Sequence, residues 1–397
     1  MIPQPHNPLA LQPHAQPRSV TVLGATGSIG ASTAKLLALH RGSFRVEALT
    51  AYDNVASLVE QAKLLGARRA VIGNEAHYME LKSALAGTSI EAAAGADAVI
   101  EAARMPSDIV IAGIVGAAGL MPTLAAIQRG ATVALANKEC LVCAGSLMME
   151  EVKRHNATLL PVDSEHSAIF QVFDFERPET IEKIILTASG GPFRTFTREQ
   201  MKNVTPEQAV RHPNWSMGAK ISIDSATMMN KALEIIEASH LFPLPHEQIE
   251  VLVHPESIIH SMVSYVDGSV LAQLGTPDMC TPIAYALAWP ARIASPSAKL
   301  DFTTLKSLTF EASDTKRFPA LRLAREVLAA GGNASVVFNA ANEIAVARFL
   351  RKEIAFLDIV AIIEKTLADV ANSPLRRIED VIEADTQSRV VAENTHV

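Results

Sequence analysis

Three glycines, Gly24, Gly27 and Gly30, stand three residues apart in the run GATGSIG. They directly follow the apolar run SVTVL and open the helix-like stretch ASTAKLLALHR. A strand, a glycine turn and a helix in that order form a cradle for a dinucleotide. Glycine lets the backbone approach a pyrophosphate, and the helix N-terminus offers free amides and a favourable dipole. The alternative is a purely structural tight turn. The residues beyond the turn favour the cradle, because strand-like runs (FRVEALTA, ARRAVIG, SIEAAA, DIVIAGI, TVALAN) alternate with helical ones as far as residue 140. That alternation predicts a parallel sheet covered on both faces.

Beyond residue 158 the pattern changes. ATLLPVD runs as a strand into an acidic pair, IEKIILTASGG is a strand ending in a glycine turn, and a hairpin is expected at Asp267-Gly268. The run from 221 to 242 reads as one long helix starting near Asp224 or Ser225, and from about 318 the chain is helical to its end. The expected architecture is therefore an α/β Rossmann-like parallel-sheet domain (18–162), an α+β catalytic domain (163–289), a linker (290–314) and a C-terminal α-helical bundle (315–397). Residues 1–17, rich in Pro, Gln and His, read as a tail without a catalytic part.

A chain of 397 residues with a formal charge of −7 shows no basic stripe, so nucleic acid is not an expected partner. An anionic ligand must be held by local groups. No apolar run is long enough to span a membrane. Three cysteines fit a reducing, cytoplasmic setting better than a disulfide scaffold, and Cys140 and Cys143 read as small buried side chains.

Several residues could carry chemistry. Asp163 and Glu165, alternate residues of an extended segment, would face one side and repel unless a cation lay between them; oxygen ligands suit Mg²⁺ or Mn²⁺. Glu234 could be a third carboxylate, with Asn230 and Lys231 beside it, although Lys231 and Glu234 also fit a plain i,i+3 ion pair and Glu237 a solvated face. Ser189, in the turn ASGG, and Ser225, at an expected helix start, are candidates for a phosphate; Ser225 could equally be only a cap. The stretch 211–218 (RHPNWSMG) reads either as a lid carrying Trp215 or as a packed domain edge. Lys138, after the strand TVALAN, could neutralise an oxyanion or be a surface lysine. At the end of the second strand, Asp53 in the run Tyr52-Asp53-Asn54 would by the simple rule favour NADH.

Taken together, GATGSIG, ALANKE, LLPVDSEHSAIFQ, TASGGPFR, HPNWSMGAKISIDSATMMNKALEIIEA and NAANEIAVA resemble the 1-deoxy-D-xylulose 5-phosphate reductoisomerase family, in the same order from about residue 19 to the C-terminal helices. The resemblance implies a homodimeric enzyme of isoprenoid precursor synthesis. It would bind NADPH, one Mg²⁺ or Mn²⁺ and a linear ketose phosphate, which it rearranges and reduces to 2-C-methyl-D-erythritol 4-phosphate. By the same resemblance Asp163, Glu165 and Glu234 are the metal ligands. Lys138, Ser164, Ser189, Ser225, Asn230 and Lys231 contact the substrate, and His212, Trp215 and Met217 belong to the closing loop. Lys138 and His212 join the three carboxylates in catalysis. Thr26, Gly27, Ser28 and Ile29 bind the pyrophosphate, and Asp53, Asn54, Asn137, Glu139 and Gly218 make further cofactor contacts. The chain departs from the family where a basic run at the 2′-phosphate becomes Tyr52-Asp53-Asn54, and where NKES becomes NKEC; Asn54 is kept, and Arg68 or Arg69 is the expected source of charge. Two rivals remain: a dehydrogenase with a Cys140 or Cys143 nucleophile, and a non-catalytic NADP sensor.

Overall fold

A computed structural model describes residues 16–215 and 217–397. Of the expected tail, only Gln16 and Pro17 fall within the described residues. The chain divides into two compact units, one comprising residues up to Asn137, Glu151–Ser164 and Asp278–Ala298, the other Lys138–Glu150, Glu165–Pro277 and Lys299–Val397.

In the first unit, seven strands form one sheet: β1 (Arg18–Leu23), β2 (Phe44–Ala51), β3 (Arg69–Ile72), β4 (Glu91–Ala94), β5 (Ile109–Ala112), β6 (Thr132–Leu135) and β7 (Thr158–Pro161). Their order is β4-β3-β2-β1-β5-β6-β7 and every pairing is parallel. The inner strands β1 and β5 are buried along almost their whole length because helices cover both faces. Strand order reverses between β1 and β5, and ligands of such sheets bind in the crevice at that reversal.

The second unit carries β8 (Ile181–Ala188), β9 (Ile249–Val253), β10 (Ile259–Tyr265), β11 (Val270–Leu274) and β12 (Glu311–Ala312) in the order β11-β10-β8-β9-β12. Only the β8–β9 pairing is parallel. The Asp267-Gly268 hairpin joins β10 to β11, with Gly268 at φ 87°. Helices Ala320–Ala330, Ala334–Leu350 and Asp358–Asp369 share one apolar core with β8 and the helix Met229–Leu241, through Phe338, Phe349, Ile184, Leu233 and Ile236 among others. The helix Met229–Leu241 is buried along most of its length, so polar groups on it are held away from water.

Two local expectations fail. Asp163 and Glu165 do not lie on an extended segment: β7 ends at Pro161 and a helix spans Ser164–Val172, so Glu165 sits in its first turn. The run 221–242 is not one helix. Ala219–Ala226 and Met229–Leu241 are separate, broken where Thr227 Oγ donates back to Ile223 and Met228 adopts a left-handed φ of 60°. Ser225 therefore lies in the last turn of the first helix, not at a helix start, and the anion-favouring N-terminus belongs to the helix bearing Asn230 and Lys231.

Candidate active site

At the carboxyl end of β1, Gly24 has φ 82° and a side chain there would meet the Gly113 carbonyl, after β5, at 2.7 Å. The two loops flanking the strand-order reversal thus touch backbone to backbone. Gly30 packs so closely on Ala25 that a Cβ would overlap its backbone. Gly27 caps the helix Ser28–Leu39 without a side-chain bond, and Gly27 and Ser28 are exposed, with Thr26 and Ile29 half-buried. First-turn amides left without a cap suit a pyrophosphate. Asn137 is buried in the same unit and donates to the carbonyls of Ile114 and Gly116, bracing the loop after β5.

Asn54 is the N-cap of the next helix, accepting from Ser57 N at 3.0 Å. Asp53 is exposed and accepts from the Asn74 amide at 2.9 Å. The two arginines expected to supply charge are engaged elsewhere: Arg68 faces Glu47 at 3.8 Å, and Arg69 pairs with Glu91 at 3.0 Å.

The second unit holds a cluster of charges. Glu234 has no solvent exposure. Its carboxylate accepts from Lys138 Nζ at 3.1 Å, from the Asn230 amide and from Lys231 Nζ. Lys231 Nζ also lies 3.1 Å from Glu165 Oε1, and Lys138 donates to Asn230 Oδ1 at 2.9 Å. Carboxylate oxygens of Glu165 and Glu234 come within 4.8 Å of one another. A buried carboxylate persists only with such partners. The i,i+3 pair of Lys231 and Glu234 is therefore real but lies inside the protein, and Lys138 is half-buried rather than a free surface lysine. Asp163 is the residue before the Ser164–Val172 helix, and the backbone carries it two positions ahead of Glu165.

Glu237, expected on a solvated face, is fully buried, with a carboxylate oxygen 3.1 Å from His166 Nδ1. The other ring nitrogen of His166 is 3.0 Å from the Glu234 carbonyl. This pair is absent from the sequence expectations. The i,i+3 step from Glu234 to Glu237 was its one signal.

In the same unit, β8 ends at Ala188, and Gly190 and Gly191, both left-handed, turn the chain so that Ser189 faces His212. His212 Nδ1 accepts from the backbone amides of Asn214 and Trp215. Its proton consequently rests on Nε2, which donates to Ser189 Oγ at 2.8 Å. Burial pushes the His212 imidazole down to about 4, so it is neutral at physiological pH. Trp215 is half-buried, its ring 6.1 Å from that of His260. Ser225 and Asn230 are half-buried, and a side chain at Gly191 would meet the Ser225 carbonyl at 2.6 Å. Lys220 binds Glu139 at 3.1 Å and Asp224 at 2.8 Å, a connection the sequence reading missed.

The thiol nucleophile that a rival reading requires is poorly served. Cys140 and Cys143 are both buried and not in a disulfide, and burial pushes the Cys143 thiol well up, away from the reactive thiolate.

A doubly covered parallel sheet with an anion-ready turn at its strand-order reversal, joined in one chain to a unit that buries carboxylates among lysines, defines a nicotinamide-dependent oxidoreductase. Over 372 residues the chain is 63% identical to the 1-deoxy-D-xylulose 5-phosphate reductoisomerase of Rhodospirillum centenum, covering 94% of this chain and 92% of the relative. The chain belongs to the 1-deoxy-D-xylulose 5-phosphate reductoisomerase family. The corresponding enzyme of Zymomonas mobilis is 59% identical over 95% of this chain and 97% of its own. Residues 20–145 match the family description "1-deoxy-D-xylulose 5-phosphate reductoisomerase", 159–242 its C-terminal domain, and 274–391 the "DXP reductoisomerase C-terminal domain".

Solved structures agree. The Zymomonas mobilis enzyme in complex with NADPH superposes with a TM-score of 0.91 at 57% identity, covering 95% of this chain and 98% of that one. A reductoisomerase in complex with NADPH, fosmidomycin and magnesium gives 0.89 at 44% identity, covering 94% and 97%. No helix among the described residues is long and apolar enough to cross a membrane.

Proposed function

We propose that this chain converts 1-deoxy-D-xylulose 5-phosphate to 2-C-methyl-D-erythritol 4-phosphate with NADPH and Mg²⁺, using the residues named above. One observation carries the assignment of the site: Glu165 and the fully buried Glu234 stand together with Lys231 against both of them. Their carboxylate oxygens come within 4.8 Å of one another, close enough to share a hard divalent ion. Asp163 supports the same reading, because the backbone holds its carboxyl two residues from that of Glu165. Bound to Asp163, Glu165 and Glu234, the metal would chelate substrate oxygens and polarise the carbonyl. NADPH would rest on Thr26, Gly27, Ser28 and Ile29, with Asp53, Asn54, Asn137, Glu139 and Gly218 as further contacts, and would supply hydride.

The chain's own groups do the rest. Ser189, Ser225, Asn230 and Lys231 grip the phosphate, helped by the positive end of the helix Met229–Leu241. Neutral His212 holds an Nε2–H on Ser189 Oγ and can turn that donor to a phosphate oxygen. Lys138, already beside Glu234 and Asn230, places an ammonium where negative charge develops as the C3–C4 bond breaks and the branched aldehyde forms. Ser164 orients the substrate backbone. Remote phosphate binding energy closes the loop that carries His212, Trp215 and Met217, and closure keeps water from the reactive intermediate.

The proposed division of labour assigns 18–162 to the dinucleotide, 163–289 to metal and substrate, 290–314 to the connection and 315–397 to the helical part, whereas the compact units group residues 138–150 with the second and 278–298 with the first. Three buried cysteines, none in a disulfide, support a reducing, cytoplasmic setting. A homodimer is carried over from the family and is tested by sedimentation.

The deciding assay mixes the purified chain with 1-deoxy-D-xylulose 5-phosphate, NADPH and Mg²⁺ and monitors loss of nicotinamide absorbance, with chelator and NADH lanes. Turnover that stops with chelator supports the proposal. Folded protein that binds NADPH but turns over nothing would favour the sensor.

A further inference from the structure

We infer that Lys220 is a positioning residue that ties the cofactor-side carboxylate of Glu139 to the helix end presenting Ser225. The inference rests on the proposed roles of Glu139 and Ser225. Lys220 stands at the second position of the helix Ala219–Ala226, just after Gly218, its N-cap. A cation there opposes the helix dipole, so local structure does not favour its placement. Tertiary partners do: its Nζ lies 2.8 Å from Asp224 Oδ2 and 3.1 Å from Glu139 Oε1, both in buried residues. Burial works against the ammonium, but Asp224 and Glu139 outweigh it and hold its pKa above the ordinary lysine value. Asp224 is held a second time, by the Asn342 amide at 3.0 Å from the helix Ala334–Leu350.

Asp224 is followed in the chain by Ser225, whose carbonyl sits against Gly191 in the turn that carries Ser189. Without the ammonium, two buried carboxylates would face each other and move apart. That movement displaces Glu139 on one side. On the other it shifts the end of the helix that places Ser225 and, through the Gly191 contact, Ser189. A merely structural ion pair would affect folding stability and leave ligand affinities alone.

The test replaces Lys220 in the full-length enzyme and measures the NADPH Kd, the KM for 1-deoxy-D-xylulose 5-phosphate, kcat and Tm. Lys220→Met should raise both Kd and KM about tenfold, the scale for outer residues that orient a ligand's contacts. Lys220→Arg, which keeps the charge, should return both to within about threefold of the parent. If the Met variant does not fold, Lys220→Gln, which keeps a donor, is measured the same way, and both constants should still rise. In a Glu139→Gln background, adding Lys220→Met should raise the NADPH Kd little further, because the two act through one contact. A folded Lys220→Met or Lys220→Gln variant that lowers Tm with either constant unchanged overturns the inference. Should Glu139→Gln alone leave the NADPH Kd unchanged, the cofactor role of Glu139 is wrong, which is a separate failure.

Discussion

Lys138 Nζ lies 3.1 Å from a carboxylate oxygen of Glu234, a side chain with no exposure to solvent. The pair joins the residue entering the helix Glu139–Arg154 to the second turn of the helix Met229–Leu241. Glu234 is thereby held inside the protein against an ammonium. Glu234→Gln keeps the shape and removes the charge. It should lower kcat at least about a hundredfold while the NADPH Kd stays within about twofold. Steady-state kinetics and fluorescence titration of NADPH check the two halves, and unchanged turnover would remove Glu234 from the site.

Gly191 combines φ 66° with a Cβ direction that meets the Ser225 carbonyl at 2.6 Å. Gly191→Ala should destabilise the protein by about 1–3 kcal/mol, from left-handed strain and the clash together. The displaced Ser189 turn should raise the KM for the sugar phosphate and spare NADPH binding. A variant with parental KM would show that the turn does not set the phosphate contacts.

The His212 imidazole has its pKa lowered to about 4 by burial. The group is neutral in both folded and unfolded chains above its ordinary value near 6.5. As pH falls through that value the unfolded chain takes up a proton before the folded one does. His212 therefore contributes stability that is present above pH ~6.5 and is lost as pH falls toward 4. A proton–carbon NMR titration of the free enzyme should show the His212 ring unprotonated at pH ~5.5, between its ordinary and its lowered value. An ordinary titration near 6.5 would contradict the buried donor arrangement with Ser189.

Asp53 is exposed and tied to Asn74, while Arg68 faces Glu47 and Arg69 pairs with Glu91. A 2′-phosphate approaching this corner meets a carboxylate. Asp53→Asn should improve the KM ratio of NADPH over NADH by about twofold to fivefold, the size of an exposed charge effect. The gain should shrink as salt is raised. No change in the ratio would place the 2′-phosphate away from residue 53.

Much of this was legible in the residues. The glycine spacing at 24, 27 and 30 needs only local geometry, since strand, turn and helix are contiguous. The alternation of strands and helices through residue 140 likewise implies a parallel sheet without knowledge of any contact. The acidic residues and the residues proposed to hold phosphate were visible as types in a recognisable order. The break at Thr227-Met228 was not, because a non-glycine residue in the left-handed region carries no reliable sequence signal; only the surrounding packing decided it. That break moved Ser225 from a helix start to a helix end. Nor could spacing tell that Glu237 is buried against His166, or that Lys220 faces Asp224 and Glu139. An i,i+3 pattern states which side chains share a face. Which face turns inward depends on what packs on it, and residues far apart in the chain supply that answer.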